Sequence, residues 1–209
     1  MAFLSKTWNL ETKTDHLTHL AFAVKSDPQT AHLHAPLADV LTTANTILAE
    51  RRRLRLAQLE ALCKVNALDR RMDVQASTVS HGARQAERLN PALRVLGCLF
   101  PDGVTAVTKP TGRGVEAQIQ QLKRVFTTTE GMPEAEVLAP AIAELRTTVN
   151  AAEAALAELK AIDEQVEAND TLADDTAERL YNAYYTTKGE LMKIFLNNKR
   201  FINSFFLSA

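Results

Sequence analysis

The chain contains few of the residues that break or cross-link a backbone. Its 209 residues include only seven glycines, seven prolines and two cysteines. Cys63 and Cys98 are far apart in the sequence and belong to no CxxC pair, so we expect two reduced, buried thiols rather than a disulfide or a zinc site. The scarcity of glycine and proline, together with abundant alanine, predicts a chain of helices with little strand.

A strong net charge, a long apolar run and a secretory leader are also missing. The formal net charge of −1 gives no general attraction to nucleic acid or to an anionic membrane. No run of about 18 apolar residues occurs, so we expect no membrane span. The first fifteen residues lack a basic segment followed by a long apolar one. We therefore expect a cytoplasmic protein without a signal peptide, with a specialised export system as the open alternative.

Apolar residues recur at steps of three and four through most of the chain, which is typical of amphipathic helices. A first helix is predicted over residues 9–26. A second, much longer helix is predicted over residues 36–90, with a break near Ser77–Gly82 as the alternative. Its heptad seam consists of Ala44, Ile47, Arg51, Leu54, Gln58, Ala61, Val65, Leu68, Met72, Gln75, Val79, Gly82, Ala86 and Leu89. Arg51 and Gln58 interrupt this seam, and we expect an acidic residue of a facing helix to neutralise Arg51.

The second half of the chain predicts further helices after one irregular region. Residues 91–114 read as a loop in which Val104–Thr108 forms a short strand or one arm of a hairpin. A third helix begins near Val115, and a fourth covers residues 134–168, with Asp163 as a flaw in its apolar seam. Asn169-Asp170-Thr171 predicts a tight turn before a last helix over residues 172–207.

These elements predict an all-α fold. We expect an elongated antiparallel helical bundle of three to four long helices with coiled-coil-like packing, and one irregular loop or small hairpin near residues 97–114. A helix over residues 36–90 would be about 80 Å long at ~1.5 Å per residue, which predicts a rod rather than a compact globule. All residues, 1–209, are expected to form one domain. Its parts are the arm and helix of residues 1–30, the long helix, the loop of residues 91–114, and the remaining helices of residues 115–209.

The sequence contains no pattern that predicts a catalytic or metal-binding site. His16 and His19 share a helix face, and His32 and His34 follow in the next loop, but a solvated face explains them better than a metal site. No histidine has a glutamate three residues before it, as a di-iron bundle needs. HExxH, GxSxG and Walker A motifs are absent too. We therefore expect no enzyme activity, no cofactor and no metal.

Two further patterns were weighed for ligand binding. Residues 112–117 fit a loose dinucleotide fingerprint, but the helical sequence that follows offers no βαβ unit. What remains is a weak anion-binding candidate, Lys109 and Arg113, at a predicted helix start. The arginines at 51–53, 55, 70 and 71 of the long helix are interleaved with Glu50, Glu60, Asp69 and Asp73. We therefore interpret them as a source of ion pairs and expect no nucleic-acid binding.

The two ends of the chain are apolar and aromatic. They carry the candidate self-association residues Phe3, Trp8, Phe201, Phe205 and Phe206. Either the ends pack on each other within one chain, or they dock on a neighbouring copy. We predict a non-enzymatic structural or scaffold protein that self-associates through helical packing, as a homo-oligomer or larger assembly. The alternatives are an adaptor or regulatory module that binds a partner helix, and a helical-bundle binder of a metal or small ligand.

Overall fold

The computed structural model of the protein describes residues 4–109, 114–196 and 198–207, and for residues 133 and 134 it describes the backbone only. Within those ranges the chain forms helices and turns, and no strand. The long helices are α1 (Leu10–Ser26), α2 (His34–Leu89), α5 (Gly114–Glu130) and α6 (Ala139–Ile194). The short ones are α3 (Val95–Leu99), α4 (Val104–Thr108) and α7 (Lys199–Asn203), with 3-10 turns at Ala31–Leu33 and Pro133–Leu138. The predicted all-α bundle is confirmed.

Helix α2 passes without a break through Ser77 and Gly82, so the interrupted alternative is wrong. Its buried stripe begins as predicted but shifts near its end, where Ala76 and Ala83 are fully buried. Leu89, which closed the predicted seam, is 83% exposed. An α-helix turns once every 3.6 residues and therefore drifts away from a strict seven-residue repeat over many turns.

Helix α6 also continues where the sequence predicted a turn, so the expected tight turn at Asn169-Asp170-Thr171 is wrong. The helix includes all three residues, although the buried side-chain amide nitrogen of Asn169 has no hydrogen-bond partner in the described part of the chain. Asn169 is buried, Asp170 pairs with Arg51 at 3.0 Å, and the Thr171 hydroxyl donates to the carbonyl oxygen of Glu167. Helix propensity is a weak preference that such contacts override. The predicted fourth and fifth helices are therefore a single helix.

The connection after α2 is a loop with two short helical segments. Val104–Thr108 forms α4 rather than a strand or hairpin arm, so that expectation is wrong. Gly103, with φ at 80°, sets the entry into α4, and Val107 is buried against the second core described below. The preference of valine and threonine for strands depends on a neighbouring strand, and none lies within the described residues.

The chain divides into two compact units, each with its own core. The first contains residues 1–56 and 164–209, and the second contains residues 57–163. Tyr184, Leu17 and Leu20 are fully buried in the first core, whereas Met72, Leu122 and Leu145 are fully buried in the second. The assignment of all 209 residues to one domain stays a prediction.

Candidate interaction surfaces

Polar contacts join α2 to α6 within each unit. In the second unit, Gln58 donates to Asp163 at 2.7 Å and Lys64 pairs with Glu158 at 2.8 Å, which makes the two helices antiparallel there. In the first unit Arg51 pairs with Asp170 at 3.0 Å, so the expected neutralisation of Arg51 by a facing acid is confirmed. Exposed pairs of this kind contribute only about 0.2–1 kcal/mol each. Their main effect is to align the two helices.

One face of α2 in the second unit stays in solvent although it carries large apolar side chains. Leu59 is 44% exposed, Leu62 is 43% exposed and Val74 is 66% exposed. Val74 lies on the side of α2 opposite its buried stripe, and Leu59 and Leu62 lie between that side and the stripe. We call this surface the outer face of α2 and define it by its exposed members, Leu59, Glu60, Leu62, Cys63, Asn66, Ala67, Arg70 and Val74.

The heptad pattern of α2 did not predict this outer face. Its apolar residues Leu59, Leu62 and Val74 lie outside the predicted seam, so a helix packed on that seam does not cover them. Their positions outside the seam are the sequence signal that could have predicted the face. Cys63 and Cys98 are both free and exposed, and the expectation that they are buried is wrong. Cys63 is one of the exposed residues that define the outer face.

The aromatic residues near the C-terminus gather in the first unit. Phe205 and Phe206 are only 4% and 5% exposed, and the Phe206 ring centroid lies 4.9 Å from that of Tyr184. Phe201 is 42% exposed, Trp8 is half-buried, and Phe3 lies outside the described residues. The burial of Phe205 and Phe206 agrees with the alternative in which the ends pack within one chain. Self-association through these residues stays a prediction.

A sharp backbone turn brings the C-terminal segment back to α1. Helix α6 ends at Ile194, and Leu196 then adopts a left-handed conformation with φ at 46°. The Asn198 side chain caps α7 by accepting from the amide of Phe201 at 3.2 Å. After α7, the carbonyl oxygen of Phe205 lies 3.2 Å from Nδ1 of His19 on α1. These contacts tie the segment down.

The histidines named by the sequence have separate roles. His16 is buried beside Trp8, with ring centroids 4.9 Å apart, and burial lowers the pKa of its imidazole. His19 contacts the C-terminal segment, His32 is exposed and His34 begins α2. Within the described residues, no group of three or more His, Cys, Asp or Glu side chains is placed to hold a metal ion.

Only one residue of the anion-binding candidate, Lys109, belongs to the described part of the chain. Lys109 is exposed and follows the C-terminal end of α4, where its amide donates to the carbonyl oxygen of Thr105 at 2.9 Å. Arg113 lies outside the described residues. Anion binding by this pair therefore stays a prediction.

The second unit also contains an open groove beside the start of α6. The groove has a volume of about 630 Å³. Met132, Ala135 and Ile142 form its apolar side, and Glu130 and Arg146 lie at its edge, where they pair at 2.8 Å. Its lining mixes an apolar floor with a charged rim, as in surfaces that accept amphipathic helices.

Comparisons with known proteins add no functional information. No protein-family model matches the chain, and neither curated proteins nor solved structures give a significant match. Among the helices in the described ranges, none has the length and apolar character to cross a membrane.

Proposed function

We propose that this chain is a non-enzymatic structural or scaffold protein that associates with further copies of itself through helical packing. The observation that supports this proposal is the outer face of α2. There, Leu59, Leu62 and Val74 stay 43–66% exposed, whereas Met72, Ala76 and Val79 of the same helix are fully buried. Large apolar side chains grouped on one helix face gain free energy when a second surface covers them.

The size of this gain predicts a weak, concentration-dependent assembly. Complete burial of a Leu or Val side chain contributes about 1.5–3 kcal/mol, and these side chains are about half exposed, so each contributes about 1 kcal/mol. Two symmetric copies would gain roughly 6 kcal/mol, against an association cost of about 4–15 kcal/mol. The rest must come from the polar members of the face. The net charge of −1 adds little repulsion between copies.

The test is the mass of the protein in solution as a function of concentration. Sedimentation velocity from about 1 µM to several hundred µM, the range in which such energies give association, should show a rising average mass. A Val74→Lys variant should shift this rise to higher concentration. Val137→Lys is the matched control, because Val137 is a comparably exposed residue of the same unit (69%) outside the outer face.

Two results would overturn the proposal. A wild-type protein that stays monomeric over the whole range has no self-association to explain. Equal weakening by Val74→Lys and Val137→Lys would remove the outer face as its cause. Circular dichroism of each variant checks that the helices are retained.

An adaptor function is the second candidate, and the groove beside α6 is the observation that favours it. An amphipathic helix of a partner protein places its apolar residues in such a groove and its polar residues at the rim. A monomeric protein that binds a hydrophobic dye, with binding lost in Met132→Lys and kept in Val74→Lys, would favour this candidate over self-association.

A further inference from the structure

Four exposed residues on the outer face of α2 are spaced symmetrically about Val65. Glu60 and Arg70 are equally far from Val65 on its two sides, and so are Cys63 and Ala67. The steps from Glu60 through Cys63 and Ala67 to Arg70 alternate three and four residues, so the four side chains follow one line along the helix. An acid, two small residues and a base therefore succeed one another on an exposed seam.

We infer that two copies of this chain pair their outer faces of α2 antiparallel about a two-fold axis level with Val65, with Glu60 of each copy opposite the partner's Arg70. This inference rests on the proposed self-association and names its partner and register. In a two-fold interface each contact occurs twice, because residue i meets j and j meets i. The symmetric spacing fits such an interface, because it sets Cys63 opposite the partner's Ala67 in both halves.

Charge distinguishes the antiparallel pairing from a parallel one. A parallel pair in register would set Glu60 against Glu60 and Arg70 against Arg70, and like charges facing each other are unfavourable. The antiparallel pair instead forms two Glu–Arg contacts. Along α2 in the second unit, Lys64 already pairs with Glu158 at 2.8 Å, whereas Glu60 and Arg70 take part in none of the ion pairs within the described residues. Both charges are exposed on the outer face.

The centre of the face also suits close approach of two helices. Cys63 and Ala67 are small and exposed, so two backbones can come near each other at this level. Leu59, on the flank of this line, is then covered by the partner helix. The occupant that fits both the charge order and this shape is a second copy of the same helix.

Charge reversal tests the pairing. Glu60→Arg sets arginine opposite the partner's Arg70, and Arg70→Glu sets glutamate opposite the partner's Glu60. Each single reversal should raise the dissociation constant about ten-fold, and the double variant should restore it to within about three-fold of wild type. Arg124→Glu, an exposed reversal on α5, is the control and should leave association unchanged.

Disulfide trapping tests the register independently. In a Cys98→Ser background, Ala67→Cys places two thiols opposite each other across the two-fold axis, close enough to form a bond. Oxidation should give a dimer on a non-reducing gel, with position 63 of one copy linked to position 67 of the other. Cys98→Ser alone should give little dimer, because the two Cys63 residues are about one helical turn apart in this register.

The outcomes separate the inference from the proposed function. A wild-type monomer at all concentrations overturns both. A wild-type dimer whose affinity is unchanged by the charge reversals overturns the inference and leaves self-association standing. Efficient linkage of Cys63 to the partner's Cys63 in the Cys98→Ser background, without any substitution at Ala67, would show a parallel pair or an antiparallel pair centred on Cys63, and would also overturn it.

Discussion

Gln58 donates a hydrogen bond from Nε2 to Oδ1 of Asp163 over 2.7 Å. In the sequence these two residues are separate flaws, one in the seam of α2 and one in the seam of α6. In the structure they face each other, so each polar interruption satisfies the other. A polar pair placed in an otherwise apolar seam favours one register of two antiparallel helices, because any shift separates the partners.

This pair should be coupled and replaceable. Gln58→Leu or Asp163→Leu alone leaves one polar group facing a leucine, so we expect each to change the free energy of unfolding by less than about 1 kcal/mol. The double leucine variant should be more stable than the two single changes predict when added, by about 0.5–1 kcal/mol. Urea unfolding followed by circular dichroism measures all four proteins. Strict additivity would show that the two side chains do not interact.

Two adjacent tyrosines of the first unit differ in their hydroxyl groups. The Tyr184 hydroxyl is buried without a hydrogen-bond partner in the described part of the chain, and burial raises the pKa of Tyr184 to about 12. The Tyr185 hydroxyl donates to the carbonyl oxygen of Leu4 at 3.1 Å. Tyr184→Phe should therefore stabilise the protein by up to about 1 kcal/mol, whereas Tyr185→Phe should destabilise it by about 1 kcal/mol.

The two tyrosine variants control for each other, because each removes one hydroxyl group and the two residues are adjacent in the chain. In thermal unfolding, the melting temperature should be higher than that of wild type for Tyr184→Phe and lower for Tyr185→Phe. Above a pH of about 10, where an unfolded tyrosine ionises, wild type should lose stability that Tyr184→Phe keeps. Equal destabilisation by the two changes would mean that the Tyr184 hydroxyl does have a partner.

Phe205 distinguishes packing within the chain from packing between copies. Because it is 4% exposed in the first core, Phe205→Ala should lower the free energy of unfolding by about 3–5 kcal/mol at any protein concentration. Phe201→Ser, at a residue that is 42% exposed, should cost about 1 kcal/mol or less. If Phe205→Ala left stability unchanged but abolished association, the aromatic end would be a subunit contact instead.

Protonation of His16 should destabilise the first unit. Burial lowers the pKa of its imidazole, with His19 adding to the effect and Asp15 opposing it. The unfolded chain therefore binds the proton more readily than the folded chain, so stability falls as the pH drops below about 6.5. His16→Phe should flatten this fall, whereas His32→Gln, at an exposed residue, should not. Urea midpoints measured at several pH values check it. An unchanged slope in His16→Phe would contradict the assignment.

The sequence predicted a helix correctly where the spacing of apolar residues was the main signal. The bounds of α1 and α2 and the pairing of Arg51 follow from spacing and charge alone. The continuous α6 did not, because Asn169 and Asp170 favour a turn locally, whereas the burial of Asn169 and the pairing of Asp170 with Arg51 are not visible in the local sequence. The outer face was not predicted because its apolar residues do not follow the heptad repeat that defines the seam of α2. Side-chain contacts across long separations, such as that of His19 with Phe205, leave no local pattern.

Two helical glycines should respond in opposite ways to the same substitution. A Cβ at Gly189 in α6 meets no atom within 4 Å, so Gly189→Ala should gain about 0.5–1 kcal/mol of stability from helix propensity alone. A Cβ at Gly82 in α2 would lie 2.7 Å from Cδ2 of Leu138, which is 4% exposed. Crowding in a packed core costs about 1–3 kcal/mol, which offsets or exceeds the propensity gain, so Gly82→Ala should be neutral or destabilising.

Shortening the neighbour tests this explanation of Gly82. In a Leu138→Ala background the crowded methyl group is absent, so adding Gly82→Ala should stabilise that variant by about 0.5–1 kcal/mol. Urea unfolding of the four proteins gives the coupling between the two positions. A stabilising Gly82→Ala in the wild-type background would show that Leu138 moves aside freely. Equal effects of Gly82→Ala in both backgrounds would show that the close contact with Leu138 has no energetic consequence.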